Sequence, residues 1–219
     1  MRSYKRAGCA SCAARPRPPS SVSGTAAHNG CSNLPPLVAA ALAAAQRARF
    51  AYSCLPEQGQ LLRVLAGGVG AGVIGETGTG CGVGLAWLAC GAHPDARLIS
   101  VERDPARAAI ATGVFADEPR VQVHTGDWRD LAEDAPFDLL VLDGGGQGKA
   151  DEPPLDPRDW LRPGGVAVLD DFAPMTTWPP TYNGQPDTAR MYWLGHPRLR
   201  AAEVKVTPTA ASILATYLG

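Results

Sequence analysis

Residues 76–82, Glu-Thr-Gly-Thr-Gly-Cys-Gly, set a carboxylate and three alternating glycines directly after an apolar run and directly before Val83-Gly84-Leu85-Ala86-Trp87. Glycine permits a tight turn and close approach of backbone to a ligand, and the start of a following helix offers free N–H groups. This is the chemistry of a nucleotide-type loop. Gly70-x-Gly72-x-x-Gly75 spells a dinucleotide fingerprint literally, but it precedes the strand and cannot form the strand-to-helix turn the motif requires. About 20 residues past the loop, a second apolar run ends in Glu102, whose carboxylate could accept both ribose hydroxyls of an adenosine cofactor. That spacing suits NAD and S-adenosylmethionine alike.

Such residues need a scaffold, and the chain supplies alternating strands and helices. Short apolar runs predict strands at Gly72–Glu76, Leu98–Glu102, Val121–Thr125, Leu139–Asp143 and Val166–Asp170. Helices are expected between them at Gly82–Cys90, Pro105–Phe115, around Leu131 and around Pro157–Leu161. Two helices, Leu37–Ala51 and Glu57–Ala66, precede the first strand. The last two strands, Ala202–Val206 and Ser212–Tyr217, are too close for a crossover and predict an antiparallel hairpin. The expected fold is α/β: a doubly wound, Rossmann-like, seven-stranded mixed sheet with helices on both faces and that hairpin at its C-terminal end.

The 219 residues, 45% of them hydrophobic, fit one domain of roughly 100–200 residues with an extension. Residues 1–33, rich in Ser, Ala, Pro and Arg without periodicity, are expected to be a disordered leader, and residues 34–219 the domain. No apolar run approaches the roughly 20 residues of a spanning helix, and no apolar segment follows Arg2, Lys5 and Arg6 as a secretory signal would demand. A cytoplasmic protein is expected. Residues 1–56 hold seven of the 20 Lys and Arg and none of the 21 Asp and Glu. The remainder therefore carries 13 basic against 21 acidic residues, a net charge of −8, which disfavours a nucleic-acid groove and favours a small-molecule substrate. The six cysteines read as reduced thiols, since a core of this size needs no disulfide staples. Cys9, Cys12, His28 and Cys31 have zinc-ligand side chains, but the segment offers no fold to hold a tetrahedron.

From about residue 53 to the end the chain resembles class I S-adenosylmethionine-dependent methyltransferases, and among them the small O-methyltransferases of the catechol and caffeoyl-coenzyme A kind. The matching stretches run in order: Leu55-Pro56-Glu57-Gln58-Gly59-Gln60-Leu61-Leu62, the loop 76–82, Ser100-Val101-Glu102-Arg103-Asp104-Pro105 and Gly126-Asp127-Trp128. Then follow Phe137-Asp138-Leu139-Leu140-Val141-Leu142-Asp143 and Leu161-Arg162-Pro163-Gly164-Gly165, leading to Val166-Ala167-Val168-Leu169-Asp170-Asp171. The resemblance implies that Glu76, Gly78 and Gly80 line the methionine part of S-adenosylmethionine, that Glu102 holds the ribose, and that Asp127 lies near the adenine amino group. A turn-forming acid is the other reading of Asp127. In metal-dependent members three oxygen ligands hold Mg²⁺, and the matching positions are Asp143, Asp170 and Asp171, with Asp143 also the catalytic-site residue. Two departures bear on this. Asp171 stands where the family often has Asn, and Gly146 where catechol-type enzymes have Lys, with Lys149 nearby beyond a glycine run of unreadable direction.

Trp178, Tyr182, Tyr192 and Trp193 fall in a stretch that could overhang the cofactor as a substrate wall, though Tyr192 and Trp193 fit a helix beginning near Asp187 and ordinary packing. His93, His124 and His196 have no catalytic or metal spacing. The expected activity is O-methylation of a small hydroxylated acceptor. Alternatives are a NAD-dependent oxidoreductase, a cofactor-binding protein without turnover, and a tRNA-modifying methyltransferase. A homodimer is left open.

Overall fold

The computed structural model describes residues 24–149 and 152–219. One short helix and two longer ones lead in: α1 (Gly24–Ala27), α2 (Pro36–Arg47) and α3 (Pro56–Gly67). The parallel part alternates β1 (Val73–Thr77), α4 (Val83–Gly91), β2 (Arg97–Glu102), α5 (Pro105–Val114) and β3 (Val121–Thr125). A 3-10 turn (Trp128–Asp134) leads to β4 (Phe137–Leu142), α6 (Pro157–Trp160) and β5 (Leu161–Phe172). The chain ends with the hairpin β6 (Thr181–Tyr182) and β7 (Gln185–Pro186), then α7 (Thr188–Gly195), β8 (Leu199–Lys205) and β9 (Ala211–Tyr217).

Seven strands form one sheet in the order β3-β2-β1-β4-β5-β9-β8. β1 to β5 run parallel, and β9 joins β5 antiparallel with β8 outside it. The strand order reverses at β1, so the carboxyl ends of β1, β2 and β4 open onto one crevice, where open α/β sheets bind ligands. Successive side chains of a strand point to opposite faces. Leu98, Leu139 and Val141 accordingly pack under α2, α3 and α4, and Ile99, Leu140 and Leu142 pack on the other face with Leu131, Trp160 and Trp193. Burial on both faces makes these strands near-continuous apolar runs.

Three features depart from the sequence reading. The expected leader divides at Gly24: residues 1–23 lie outside the described residues, whereas Gly24–Ala27 is helical and buries Thr25 and His28 against the domain. Thr25 Oγ1 donates to the Phe50 carbonyl at 2.7 Å and meets Ser53 Oγ at 2.8 Å, contacts that no local pattern announces. The segment around Leu131 is a 3-10 turn, and β5 starts five residues earlier than expected, displacing the end of the helix assigned to Pro157–Leu161. The hairpin β6–β7 was unforeseen, although Asn183-Gly184, both at positive φ (51° and 76°), is a strong hairpin-turn signal.

Candidate active site

The loop after β1 is shaped by close approach. Gly78 has φ +85°, and a Cβ there would lie 2.6 Å from the Gly144 Cα, so the turns following β1 and β4 cross backbone against backbone. Glu76, 3% exposed, ends inside this turn. Its Oε2 accepts from Ser100 Oγ at 2.7 Å, and the Ser100 hydroxyl lies 2.5 Å from Thr79 Oγ1. Burial pushes the Glu76 carboxyl up to about 8, with the Ser100 hydrogen bond opposing and Glu102 adding to the rise.

Glu102 sits at the end of the neighbouring strand. Its Oε2 accepts from the Gly80 N–H at 2.8 Å, and its Oε1 accepts from the Asp104 N–H at 2.9 Å and from Arg107 Nη2 at 2.8 Å. Arg107 in turn lies 5.6 Å from the Phe50 ring, which covers Gly80. The carboxylate is thus oriented before any ligand arrives. Asp127 caps the 3-10 turn: its Oδ1 accepts from the Arg129 N–H at 3.1 Å and from Arg129 Nη1 at 2.8 Å. The backbone hydrogen bond from Arg129 is the main reason its carboxyl lies below the ordinary range. The turn-forming reading of Asp127 therefore holds, and the side chain also faces the same crevice as Glu76 and Glu102.

Asp143 follows β4, and Asp170 and Asp171 close β5, where the pairing with β9 slips between Leu169 and Phe172. Asp171 takes φ +64°, a left-handed conformation that Asp and Asn tolerate better than most side chains. Burial, then Asp171, Asp170 and Glu76, push the Asp143 carboxyl well up, while Lys149 opposes. Burial and Asp171 likewise push Asp170 up to about 6. Lys149 Nζ donates to the carbonyls of Asp170 (2.7 Å) and Asp171 (3.0 Å). Among the described residues, no three His, Cys, Asp or Glu side chains group as a metal-binding set. Asp143, Asp170 and Asp171, the residues expected to hold Mg²⁺, are near enough for Asp171 and Asp170 to raise the Asp143 carboxyl and for Asp171 to raise that of Asp170.

Glu76, Glu102, Asp127, Asp143, Lys149, Asp170 and Asp171 line one cavity of about 2350 Å³, well above the roughly 300–1,000 Å³ of a single-ligand pocket. It has room for a cofactor beside an acceptor. Of the aromatic residues singled out, Tyr182 and Tyr192 line it, Trp178 is exposed without lining it, and Trp193 is fully buried in the core. Sequence reasoning missed Gln58, 2% exposed, whose Oε1 lies 2.9 Å from Ser212 Oγ, itself 3.2 Å from Asp170 Oδ1. It also missed Ser100, Thr79 and Arg107. Polar side chains at core positions were the available signal, since buried polar groups need partners.

Comparison with known proteins agrees with this geometry. Residues 76–172 match the model of a methyltransferase domain family. Catechol O-methyltransferase of Mycobacterium tuberculosis is 39% identical over 120 residues, 49% of this chain and 52% of that one. Catechol O-methyltransferase of Niastella koreensis is 34% identical over 152 residues, 62% of this chain and 65% of that one. The chain thus spans about half to two thirds of the length of these relatives. Among solved structures, the O-methyltransferase TomG from Streptomyces achromogenes, in complex with S-adenosylmethionine, superposes with a TM-score of 0.68 at 22% identity, covering 88% of this chain and 94% of that one. By motif order, strand order and these matches, the chain is a class I methyltransferase-fold protein that resembles the small O-methyltransferases of the catechol type.

Proposed function

We propose that the protein is an S-adenosylmethionine-dependent O-methyltransferase acting on a small hydroxylated acceptor. The observation that carries this reading is the single crevice that joins a glycine loop with two buried glutamates, Glu76 and Glu102, to the carboxylates Asp143, Asp170 and Asp171 and an aromatic rim. S-Adenosylmethionine supplies a methyl group on a sulfonium; its transfer to a hydroxyl forms an oxygen–carbon bond, breaks a sulfur–carbon bond and releases one proton. Glu76, Gly78 and Gly80 bind the amino-acid end, Glu102 takes the ribose hydroxyls, and Asp127 reaches the adenine edge. Asp143 lies at the junction with the acceptor space and accepts the released proton, a role suited to a carboxyl raised above its ordinary range. The net charge of −8 on residues 57–219 supports a small molecule over RNA as acceptor. A nicotinamide cofactor could use the same loop and Glu102, but it leaves the carboxylates after β4 and β5 without a task.

The test is calorimetric titration with S-adenosylmethionine and with NAD, followed by methyl transfer to a panel of catechols and phenols read by mass spectrometry. S-Adenosylmethionine should bind, NAD should be silent, and a methylated phenol should appear. Asp143→Asn should lower turnover about 100-fold or more while leaving cofactor affinity within about threefold. Binding of NAD alone would overturn the reading.

A further inference from the structure

We propose that Gln58 and Ser212 are positioning residues for Asp170: the hydrogen-bonded chain Gln58–Ser212–Asp170 holds Oδ1 of that carboxylate and so sets the direction in which it meets a divalent cation. The inference rests on the O-methyltransferase reading above and names how one of the expected Mg²⁺ ligands is held.

The chain joins three elements that are distant in sequence. Gln58 is the third residue of α3, Ser212 the second of β9, and Asp170 stands near the end of β5. In the β5–β9 ladder Leu169 pairs with Ile213 and Phe172 with Ala211, so two residues, Asp170 and Asp171, stand opposite one, Ser212. Such a bulge breaks the alternation of faces and re-aims side chains at the rim of a sheet. Asp171 takes the left-handed conformation here, at φ +64°. Ser212 is fully buried beneath the bulge and Gln58 nearly so.

Ser212 Oγ lies 2.9 Å from Gln58 Oε1 and 3.2 Å from Asp170 Oδ1. A serine hydroxyl carries one proton, so it cannot donate to both. Gln58 Nε2, meanwhile, is buried with no hydrogen-bond partner among the described residues, and a buried donor of that kind calls for an explanation. Half a turn of the amide removes the conflict: Nε2 donates to Ser212 Oγ, and Ser212 donates to Asp170 Oδ1. The Oε1 acceptor that is then left without a partner is less costly than an unmet donor. Every donor now runs toward the carboxylate, to which the Asp171 backbone adds a further hydrogen bond. This is the arrangement that an ionised, ligating Asp170 needs. Asp143, Asp170 and Asp171 are oxygen donors suited to a hard cation, and all three line one cavity with Gln58. Among the described residues they do not form a ready-made ligand group, so the bonds that orient each carboxylate decide how the set meets a cation. Partners of this kind, one bond removed from the ligand, typically change metal affinity by about 10- to 100-fold.

The test uses full-length protein saturated with S-adenosylhomocysteine and reads Mn²⁺ affinity from the loss of the free-ion signal in electron paramagnetic resonance. Ser212→Ala should weaken Mn²⁺ about 10- to 100-fold while S-adenosylhomocysteine affinity stays within about threefold, and Ser212→Thr, which restores the hydroxyl, should recover part of the loss. Gln58→Met, similar in shape, should weaken Mn²⁺ as well. It should have no further effect in the Ser212→Ala background, because Gln58 acts through Ser212. Mn²⁺ affinity in Ser212→Ala equal to that of wild type overturns the proposal, and so do losses that simply multiply in the double variant. If Gln58→Met does not fold, the two Ser212 variants decide alone. A wild type that binds S-adenosylhomocysteine but no Mn²⁺ also overturns the proposal, with the O-methyltransferase reading left standing. If wild type binds neither S-adenosylmethionine nor its product, that reading itself is what fails, and the proposal falls with it.

Discussion

At the scale of single residues, the proposed cofactor-binding role of Glu76 is tied to stability through its titration. Its carboxyl ordinarily titrates at 4.5 and is pushed to about 8 in the folded chain, so the folded state binds the proton more tightly than the unfolded one. Stability from this group is fully present below pH 4.5 and is lost as pH rises to about 8, a change of roughly 3–5 kcal/mol. Glu76→Gln removes the titration. Urea unfolding should show the variant gaining stability relative to wild type between pH 5 and pH 9, by an amount of that order. The same substitution should weaken S-adenosylmethionine, because a cationic amino group favours the ionised carboxylate. Binding to wild type at pH 7 should therefore release a proton, seen as a dependence of the calorimetric heat on buffer ionisation enthalpy. A pH-independent difference between the two proteins would show that Glu76 is ionised throughout.

Residues of this kind were legible because their spacing follows the strands. Glu76 and Glu102 close β1 and β2, and Thr77 pairs with Val101 in the parallel register, so both carboxylates reach the same crevice from the sequence pattern alone. Lys149 was visible as a residue but not as a direction. Its orientation depends on Gln147 and Trp193, which are 46 positions apart. Three aspartates can be aligned with a motif, while the position of the neighbouring ammonium is set by tertiary packing.

At the scale of elements, two joints hold the site together. The first is the crossing of the turns after β1 and β4. A Cβ on Gly144 would lie 2.5 Å from the Gly78 Cα, and Gly144 has no positive φ, so Gly144→Ala tests sterics alone. The variant should lose about 1–3 kcal/mol of stability and bind S-adenosylmethionine more weakly, because the cofactor loop must move aside. The second joint is Arg190 on α7. Its Nε donates to Asp187 at 3.0 Å, its Nη1 to Glu203 at 2.5 Å and its Nη2 to the Ala173 carbonyl at 2.8 Å, while its guanidinium lies 4.9 Å from the Phe172 ring. Arg190→Met should cost roughly 3–5 kcal/mol in chemical denaturation by leaving buried carboxylates unpaired. Adding Glu203→Leu should recover part of it; no recovery would mean that the cost comes from the Ala173 contact. Periodicity gave the strands and most helices within a few residues, but it could not report such ion pairs, since Arg190 and Glu203 read locally as surface charges.

At the scale of the whole molecule, the segment before α2 belongs to the site. Ala26, Ala27 and Asn29 line the same cavity as Glu76 and Glu102, and the segment is attached through Thr25 to Phe50 and Ser53. Phe50 covers Gly80 and lies against Arg107, the ion-pair partner of Glu102. The route from the N-terminal turn to the cofactor loop is therefore continuous: Thr25 fixes the backbone at Phe50, Phe50 packs on the glycine loop and Arg107, and Arg107 orients Glu102. Truncation before Leu34 removes the first link and one wall of the cavity, whereas truncation before Gly24 leaves both. The shorter protein should bind S-adenosylmethionine about tenfold more weakly than the one beginning at Gly24, and the Phe50→Ala variant of the intact chain should reproduce much of that loss. Equal affinities for the two truncations would mean that the turn at residues 24–33 is a surface decoration and that Phe50 holds its place without it.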